Sequence, residues 1–434
     1  MQDWKKRHLR CPTAPLDLVF DGKQFEGCPL DESLRESLLD RAARGTIRRI
    51  HLVSEDSKLL GSILSPLTVS NDGIRTSSVE SVVIWDESED GAADLSDFFA
   101  NHRFPKLQRL ELDGLMISSW DLIISRATVL TTLYLGCCYY SPPLTTSKLL
   151  SIFASNPTLQ NITLFPSVIP EDGDGNSSTR AQLPNLRMLD LSGDGQHIFE
   201  LLHRLDYPQN MDSLSIHLLG CMAEEVSQIV GPCLRDYLRR RGSSRGLWLS
   251  LLSTDAIELY LGDVGGININ FPSSRPALTK RFVKIKIGHM TDFPECTRWE
   301  VTLNLLEHLP HKDILHLQVE GEPICMKDVS ARFPYIRAVQ FVGRPLDAVF
   351  RDLILNTNEE IFPSLGRVIL DQVVEGGGDW SALMTFLASR ASSGNQLDSL
   401  EIQGTFTMDP KVEEGIRRLV RDLRLTRVER VYFY

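Results

Sequence analysis

No stretch of this chain approaches the ~18 to 20 consecutive apolar residues needed to cross a bilayer. Its opening, Met1-Gln-Asp-Trp-Lys-Lys-Arg, lacks the apolar core of a secretory signal. Both absences point to an intracellular protein, cytoplasmic or nuclear, with no membrane partner. The eight cysteines, Cys11, Cys28, Cys137, Cys138, Cys221, Cys233, Cys296 and Cys325, include no C-x-x-C pair. Without an export signal they read as reduced, packed thiols rather than a disulfide framework. The sequons at Asn161 and Asn176 then read as chance matches. An excess of cations is missing too. The formal net charge of −11 argues against general nucleic-acid binding, which needs a basic face, and favours a basic or mixed partner.

Catalytic signatures are equally scarce. There is no G-x-S-x-G, P-loop or H-E-x-x-H. Asp172, Asp174 and Asn176 hint at a calcium loop, but the required glycine is Ser177 and the bidentate glutamate is Leu183, so a polar loop is the better reading. His308 and His311 flank Leu-Pro with no third ligand nearby. Gly262-Asp-Val-Gly-Gly-Ile lacks the dinucleotide spacing and reads as a hairpin turn. Arg239, Arg240, Arg241 and Arg245 read as a solvated helix end. No catalytic, cofactor-binding or metal-binding residue is assigned, and a non-enzyme is expected.

What the chain has is a short phrase, apolar-x-x-apolar-x-apolar, that keeps returning at intervals of roughly 22 to 37 residues. Its copies begin at Ile47, Val79, Leu107, Leu130, Leu159, Leu186, Met211, Phe282, Ile314, Ile336, Leu365, Leu397 and Val428. A recurrence of this period implies stacked units, because one strand and one helix cannot bury their apolar faces alone. Each phrase predicts a strand whose apolar positions point inward. Helical spacing falls between them, over 146–155, 196–205, 222–241, 379–390 and 411–424. Pro232 should bend or interrupt the third of these. Between 247 and 271 the spacing tightens to alternation, at Leu247, Leu249, Leu251, at Ile257, Leu259, Leu261 and at Ile267, Ile269, Phe271. That reads as antiparallel hairpins, or alternatively as a few irregular repeats. The expected organisation is a lead-in over 1–45, an array over 46–243, a β-rich insertion over 244–290 and a second array over 291–434.

Longer phrases carry a resemblance. Phe104-Pro-Lys-Leu-Gln-Arg-Leu-Glu-Leu, Leu130-Thr-Thr-Leu-Tyr-Leu, Leu149-Leu-Ser-Ile-Phe-Ala-Ser-Asn-Pro, Gly231-Pro-Cys-Leu-Arg-Asp-Tyr-Leu, Phe362-Pro-Ser-Leu-Gly-Arg-Val and Phe386-Leu-Ala-Ser-Arg-Ala-Ser-Ser-Gly-Asn follow in order. Together they resemble the basidiomycete family of F-box-like leucine-rich-repeat proteins, from about residue 12 to the end. The resemblance implies an α/β leucine-rich-repeat-like solenoid that holds a substrate for a cullin-type ubiquitin ligase. The family's opening Leu-Pro-x-Glu-Ile is not in the sequence, and Ala14-Pro-Leu-Asp-Leu looks like the segment after the F-box. Binding to a Skp-type adaptor would therefore need an F-box upstream of Met1. The alternative is a non-catalytic repeat scaffold with no ligase connection.

The positions between the inward leucines are the ones a partner would meet. They include Arg49, His51, His217, His316, Arg367, Glu401, Tyr432 and Tyr434. The expected partner-binding set is Trp85, Arg109, Glu111, Tyr134, Phe165 and Asp190, because Trp, Tyr and Arg dominate interface energetics.

Overall fold

The structure is a computed structural model. It describes residues 15–21, 36, 40, 46–68, 75–76, 78–88, 93–100, 102–117, 127, 129–136, 139–140, 144–169, 180–208, 211–219, 228, 230–241, 247–253, 257–263, 282–287, 302–309, 311–321, 325–343, 349–350, 353, 361–373 and 380–427. The chain is mixed α/β and forms two compact units, Met1–Met211 and Asp212–Tyr434. Among the described residues no helix is long and apolar enough to cross a membrane.

In the first unit, seven strands run parallel in chain order: β1 (Leu16–Asp21), β2 (Ile47–Ser54), β3 (Ser81–Asp86), β4 (Arg109–Asp113), β5 (Thr132–Leu135), β6 (Asn161–Leu164) and β7 (Met188–Gly193). The register follows the sequence phrase. Its middle residues Ile50, Val82, Leu110, Leu133, Ile162 and Leu189 pair strand to strand. None of the six exceeds 2% exposure. The next inward row, Leu52, Ile84, Leu112, Leu135, Leu164 and Leu191, is fully inaccessible at 0%. Each such side chain removed from water contributes roughly 2 kcal/mol, which is why the register is fixed. A slip of one residue would turn every leucine to the opposite face. β1 continues the rows with Leu18 opposite Ile50 and Phe20 opposite Leu52, within what the sequence reading takes as a lead-in.

The chain enters these strands through one recurring turn. In Phe104-Pro-Lys-Leu107, Asn156-Pro-Thr-Leu159 and Leu183-Pro-Asn-Leu186 the fourth residue's N–H bonds the first residue's carbonyl at 3.1 Å. Pro presets the φ of the second turn position. The first residue is buried in all three. After the turn, one carbonyl just before the preceding strand accepts two successive N–H groups. Glu80 O takes Gln108 and Arg109, Thr131 O takes Gln160 and Asn161, and Gln160 O takes Arg187 and Met188.

Helices return the chain between strands: α1 (Ser57–Thr68), α2 (Ser96–Ala100), α3 (Thr146–Ser155) and α4 (Gly195–Arg204). α1 packs on β2 and α4 on β7. Asp194 caps α4 by accepting the N–H groups of Gln196 at 2.9 Å and His197 at 3.3 Å. Ile198, Phe199, Leu201 and Leu202 form its buried stripe. Gly114 adopts φ +68°, and a Cβ there would lie 1.8 Å from the Asp86 carbonyl oxygen, so the turn after β4 requires glycine.

The second unit holds β8 (Ser213–Leu218), α5 (Gly231–Arg241), β9 (Leu247–Ser253), β10 (Ile257–Asp263), β11 (Phe282–Ile287), β12 (Ile314–Gly321), α6 (Met326–Arg332), β13 (Ala338–Val342), β14 (Arg367–Val373), α7 (Trp380–Ser392), β15 (Leu397–Gly404), α8 (Pro410–Leu419) and β16 (Val420–Arg427). Its sheet order is β8-β11-β10-β9-β12-β13-β14-β15-β16. β10 is antiparallel to both neighbours, and the other pairings are parallel. The 247–263 hairpin expected from the alternation is present. Its strands lie inside this sheet: two reversals bring β11 back parallel, beside β8. The phrase at Phe282 is one alternation step out of line, since Ile285 pairs with Ile216 and not with Leu214. The expected third hairpin strand, 267–271, lies outside the described residues, as does the phrase at Val428.

The expected 222–241 helix is described only in part: Gln228 and Val230 are π-helical, α5 follows from Gly231, and the change of helix form falls beside Pro232, while 221–227 and 229 lie outside the described residues. One helix boundary corrects the sequence reading. α8 ends at Leu419 instead of running to 424. Val420, Leu423 and Leu425 belong to β16, paired with Leu397, Leu400 and Ile402. The strand phrase and a helical stripe share their first interval of three residues, which is why spacing alone misassigned them. Phe333-Pro-Tyr-Ile336 and Phe362-Pro-Ser-Leu365 repeat the entering turn of the first unit, at 3.3 and 3.0 Å.

Candidate functional site

The residues between the inward leucines of β1–β7 form three outward rows. The first carries Arg49, Ser81, Arg109, Thr132, Asn161 and Met188. The second carries His51, Val83, Glu111, Tyr134, Thr163 and Asp190. The third begins Val53, Trp85, Asp113, and Gly136 and Phe165 extend the following strands through their own cross-strand N–H bonds. All six expected partner-binding residues therefore lie on this one face.

Three of the six are in contact. The Trp85 and Tyr134 rings lie 6.1 Å apart at 33°. The Tyr134 and Phe165 rings lie 5.5 Å apart at 55°. All three are half-buried, so they form a strip that a partner can still cover. The strip depends on two residues that sequence reasoning missed. Asp113 Oδ2 accepts the Tyr134 hydroxyl at 3.1 Å. Gly136 makes room for that carboxylate, since a Cβ at Gly136 would lie 2.2 Å from Asp113 Cγ. The signal was available in part: Asp113 follows Glu111 by two residues and so shares its face. Trp85 Nε1 is buried with no hydrogen-bond partner among the described residues.

Glu111 departs from the expectation of an exposed ladder residue: it is buried, at 8% exposure. It sits between Val83 and Tyr134 in its row. Its carboxylate takes the Arg109 guanidinium Nε at 2.7 Å, which supplies the charge partner that burial demands. Arg109 and Asp190 are exposed. Arg109 thus works partly as Glu111's counter-ion.

In the second unit the outward expectation also needs correction. His316 and Glu401 are buried, at 6% and 9% exposure, within a polar cluster. Arg367 Nη2 donates to Glu401 Oε2 at 2.9 Å, and Gln403 Nε2 donates to Glu401 Oε1 at 2.7 Å. Gln340 Nε2 donates to Asp371 Oδ2 at 3.2 Å. Burial pushes the Asp371 carboxyl up, with the charge of Glu401 adding to it, against hydrogen bonds from Gln372 and Gln340. His316 is held down to about 4, by burial first and then by the Arg367 charge. It is therefore neutral near pH 7. The reason for these burials is crowding: the same outward rows also hold the apolar Ile369 and Val342, both buried. His51 and Arg49 are exposed and His217 is half-buried. Tyr432 and Tyr434 lie outside the described residues.

The other motifs stay apart from this face. The Asp172 loop and Arg245 lie outside the described residues. Arg239 makes a long ion pair with Asp236 at 3.9 Å. The His308 ring packs against Gly231 where α5 begins, and the His311 ring stacks on Phe333 at 5.4 Å. Among the described residues no group of three His, Cys, Asp or Glu side chains is placed to hold a metal ion. Comparison with protein-family models finds no match, and comparison with curated protein sequences finds none either.

Proposed function

We propose that the chain is a non-catalytic protein-recognition module, a leucine-rich-repeat-like solenoid whose outward strand rows bind a protein partner inside the cell. The observation that carries the reading is the strip Trp85–Tyr134–Phe165, held on a rigid parallel ladder by Asp113 and Gly136. Rigid aromatic groups bury much area at low entropic cost. The recurrence of one turn in both units, and of one register over β2–β7 and over β12–β15, supports the repeat architecture. The family resemblance adds a role: the partner is a substrate of an F-box-type cullin ubiquitin ligase, with a Skp-type adaptor joined only if an F-box is encoded upstream.

The test is affinity capture with the full chain and with Trp85→Ala/Tyr134→Ala, read by quantitative mass spectrometry. Specific proteins lost with the variant, while its melting curve stays within a few degrees of wild type, support the face. An identical capture list from both chains rejects it. Recovery of Skp and cullin subunits with a longer product, but not with this chain, supports the ligase role. Their absence from both leaves the scaffold alternative as the better reading.

A further inference from the structure

The ladder of the first unit is sorted by charge along the strand direction. Because its strands are parallel, they all begin at one edge of the face and end at the other. At or just before strand starts stand Arg48, Arg49, Lys106, Arg109 and Arg187, against Asp17 and Glu80. At or just after strand ends stand Glu55, Asp56, Asp86, Glu87, Asp113 and Asp194, against Lys58. Some of these carboxylates have local duties. Asp56 caps α1 through Lys58 and Leu59 N–H, and Asp86 takes the N–H groups of Ser88 and Ala93. Asp194 caps α4 and lies 3.4 Å from His197 Nδ1. Asp86 is buried at 6% exposure, so the accessible carboxylates of this half are Glu55, Asp56, Glu87 and Asp194, with Asp113 half-buried.

The aromatic strip lies on the acidic half. Trp85 is followed directly by Asp86 and Glu87, and it pairs across the ladder with Asp113, which holds Tyr134. A group that complements an aromatic face and a carboxylate together is a cation on an apolar stem, as in arginine or lysine. From Trp85 to Phe165 the strip crosses three strand spacings, about 14 Å, which an extended segment of roughly four residues would span. We infer that this half of the face docks a short, extended, basic segment of the protein partner. Its cations lie over Trp85 and Tyr134 and its charge faces Asp113 and Glu87. An acidic segment or a phosphate backbone would meet like charge at the same edge. This inference rests on the recognition reading given above and names its partner class.

The test uses fluorescein-labelled hexa-arginine and hexa-glutamate peptides, read by fluorescence anisotropy against the full chain at low and physiological salt. Hexa-arginine should bind. Glu87→Gln/Asp113→Asn and Trp85→Ala/Tyr134→Ala should each weaken it about tenfold, or 1.4 kcal/mol. Glu413→Gln/Glu414→Gln on α8 removes the same charge elsewhere and should leave affinity within about twofold. Trp85→Phe/Tyr134→Phe guards against a folding defect, since it keeps the aromatic faces and should retain binding. An equal loss with the α8 pair means only general charge attraction and overturns the inference. Hexa-glutamate binding that depends on Trp85 and Tyr134 overturns the basic class and leaves the recognition face standing. If binding of neither peptide responds to Trp85 and Tyr134, this inference falls, and the recognition reading is decided separately by the capture experiment. Self-association in sedimentation velocity that Glu87→Gln/Asp113→Asn abolishes would make a second copy the occupant, which also overturns it.

Discussion

Asp113 leans into the space that Gly136 leaves open on the next strand: a Cβ at Gly136 would meet its carboxylate oxygens at 2.2 and 2.5 Å. That vacancy lets the carboxylate reach the Tyr134 hydroxyl, and the ring then sits between Trp85 and Phe165. Gly136→Ala should therefore displace Asp113 and loosen the strip. A methyl forced into this space costs about 1 to 3 kcal/mol. Tyr134→Phe, which removes only the hydrogen bond, should cost about 1 kcal/mol. Denaturant melts of both variants, followed by near-UV circular dichroism of the aromatic bands, check this. A Gly136→Ala variant as stable as wild type would show that the Gly136 space is not needed.

The inward rows give the largest expected effect. Leu133 is 2% exposed and pairs with Leu110 and Ile162. Leu133→Asp places an unpaired carboxylate among leucines and should cost on the order of 3 to 5 kcal/mol. Leu133→Met, nearly equal in volume, should cost under about 1.5 kcal/mol. Chemical denaturation measures both. An aspartate variant as stable as wild type would mean that the site reaches water.

The inward rows were readable because burial forces apolar side chains into a fixed spacing. The register of Leu110, Leu133, Ile162 and Leu189 matches the phrase residue for residue. Where two patterns share that spacing, the reading fails, as it did at Val420 and Leu423. β1 escaped because Leu16, Leu18 and Phe20 alternate with no three-residue interval to flag them. The outward face was legible only as a list. Side-chain periodicity says which way Glu111 points, but it says nothing of the Arg109 ion pair or the neighbours that bury it. Asp113 and Gly136 become meaningful only when β4 and β5 are set side by side.

Arg390 is a long-range tie that no sequence pattern announces. It is 5% exposed, and its guanidinium donates to the carbonyls of Asn395, Ile361, Phe362 and Leu365. It thereby holds the turn that leads into β14, where Phe362 has φ +52° and its N–H bonds Ser330 Oγ at 2.6 Å. A positive φ at phenylalanine persists only where surroundings enforce it. Arg390→Met keeps the stem and removes the guanidinium donor from those carbonyls, of which Phe362 O keeps the Leu365 N–H, and should cost on the order of 3 kcal/mol. Arg390→Lys should recover only part of this, because one ammonium cannot match the planar fork. Hydrogen exchange at residues 361–367 should rise in the methionine variant before global unfolding. Unchanged exchange there would show that the turn stands without Arg390.

The polar cluster of the second unit sets a dependence on pH. His316 is held at about 4 in the folded chain, by burial and then by Arg367, against an ordinary 6.5 when unfolded. Above the unfolded value both states are neutral, and His316 adds no pH dependence. Between 6.5 and 4 the unfolded chain takes up a proton that the folded chain refuses. Stability should therefore fall as pH drops through that window, by up to about 3 kcal/mol from this residue. Asp371 works in the opposite sense. Its raised folded value means the folded chain protonates first as pH falls, which recovers some stability at acid pH. The two are separated by comparing wild type with His316→Gln in denaturant melts from about pH 3 to 7. The difference in unfolding free energy between the two chains should grow in the glutamine variant's favour as pH falls, and level off below the folded histidine value. A constant difference across the window would mean that His316 titrates as an exposed histidine, and that Arg367 and the buried row around it do not exclude the proton.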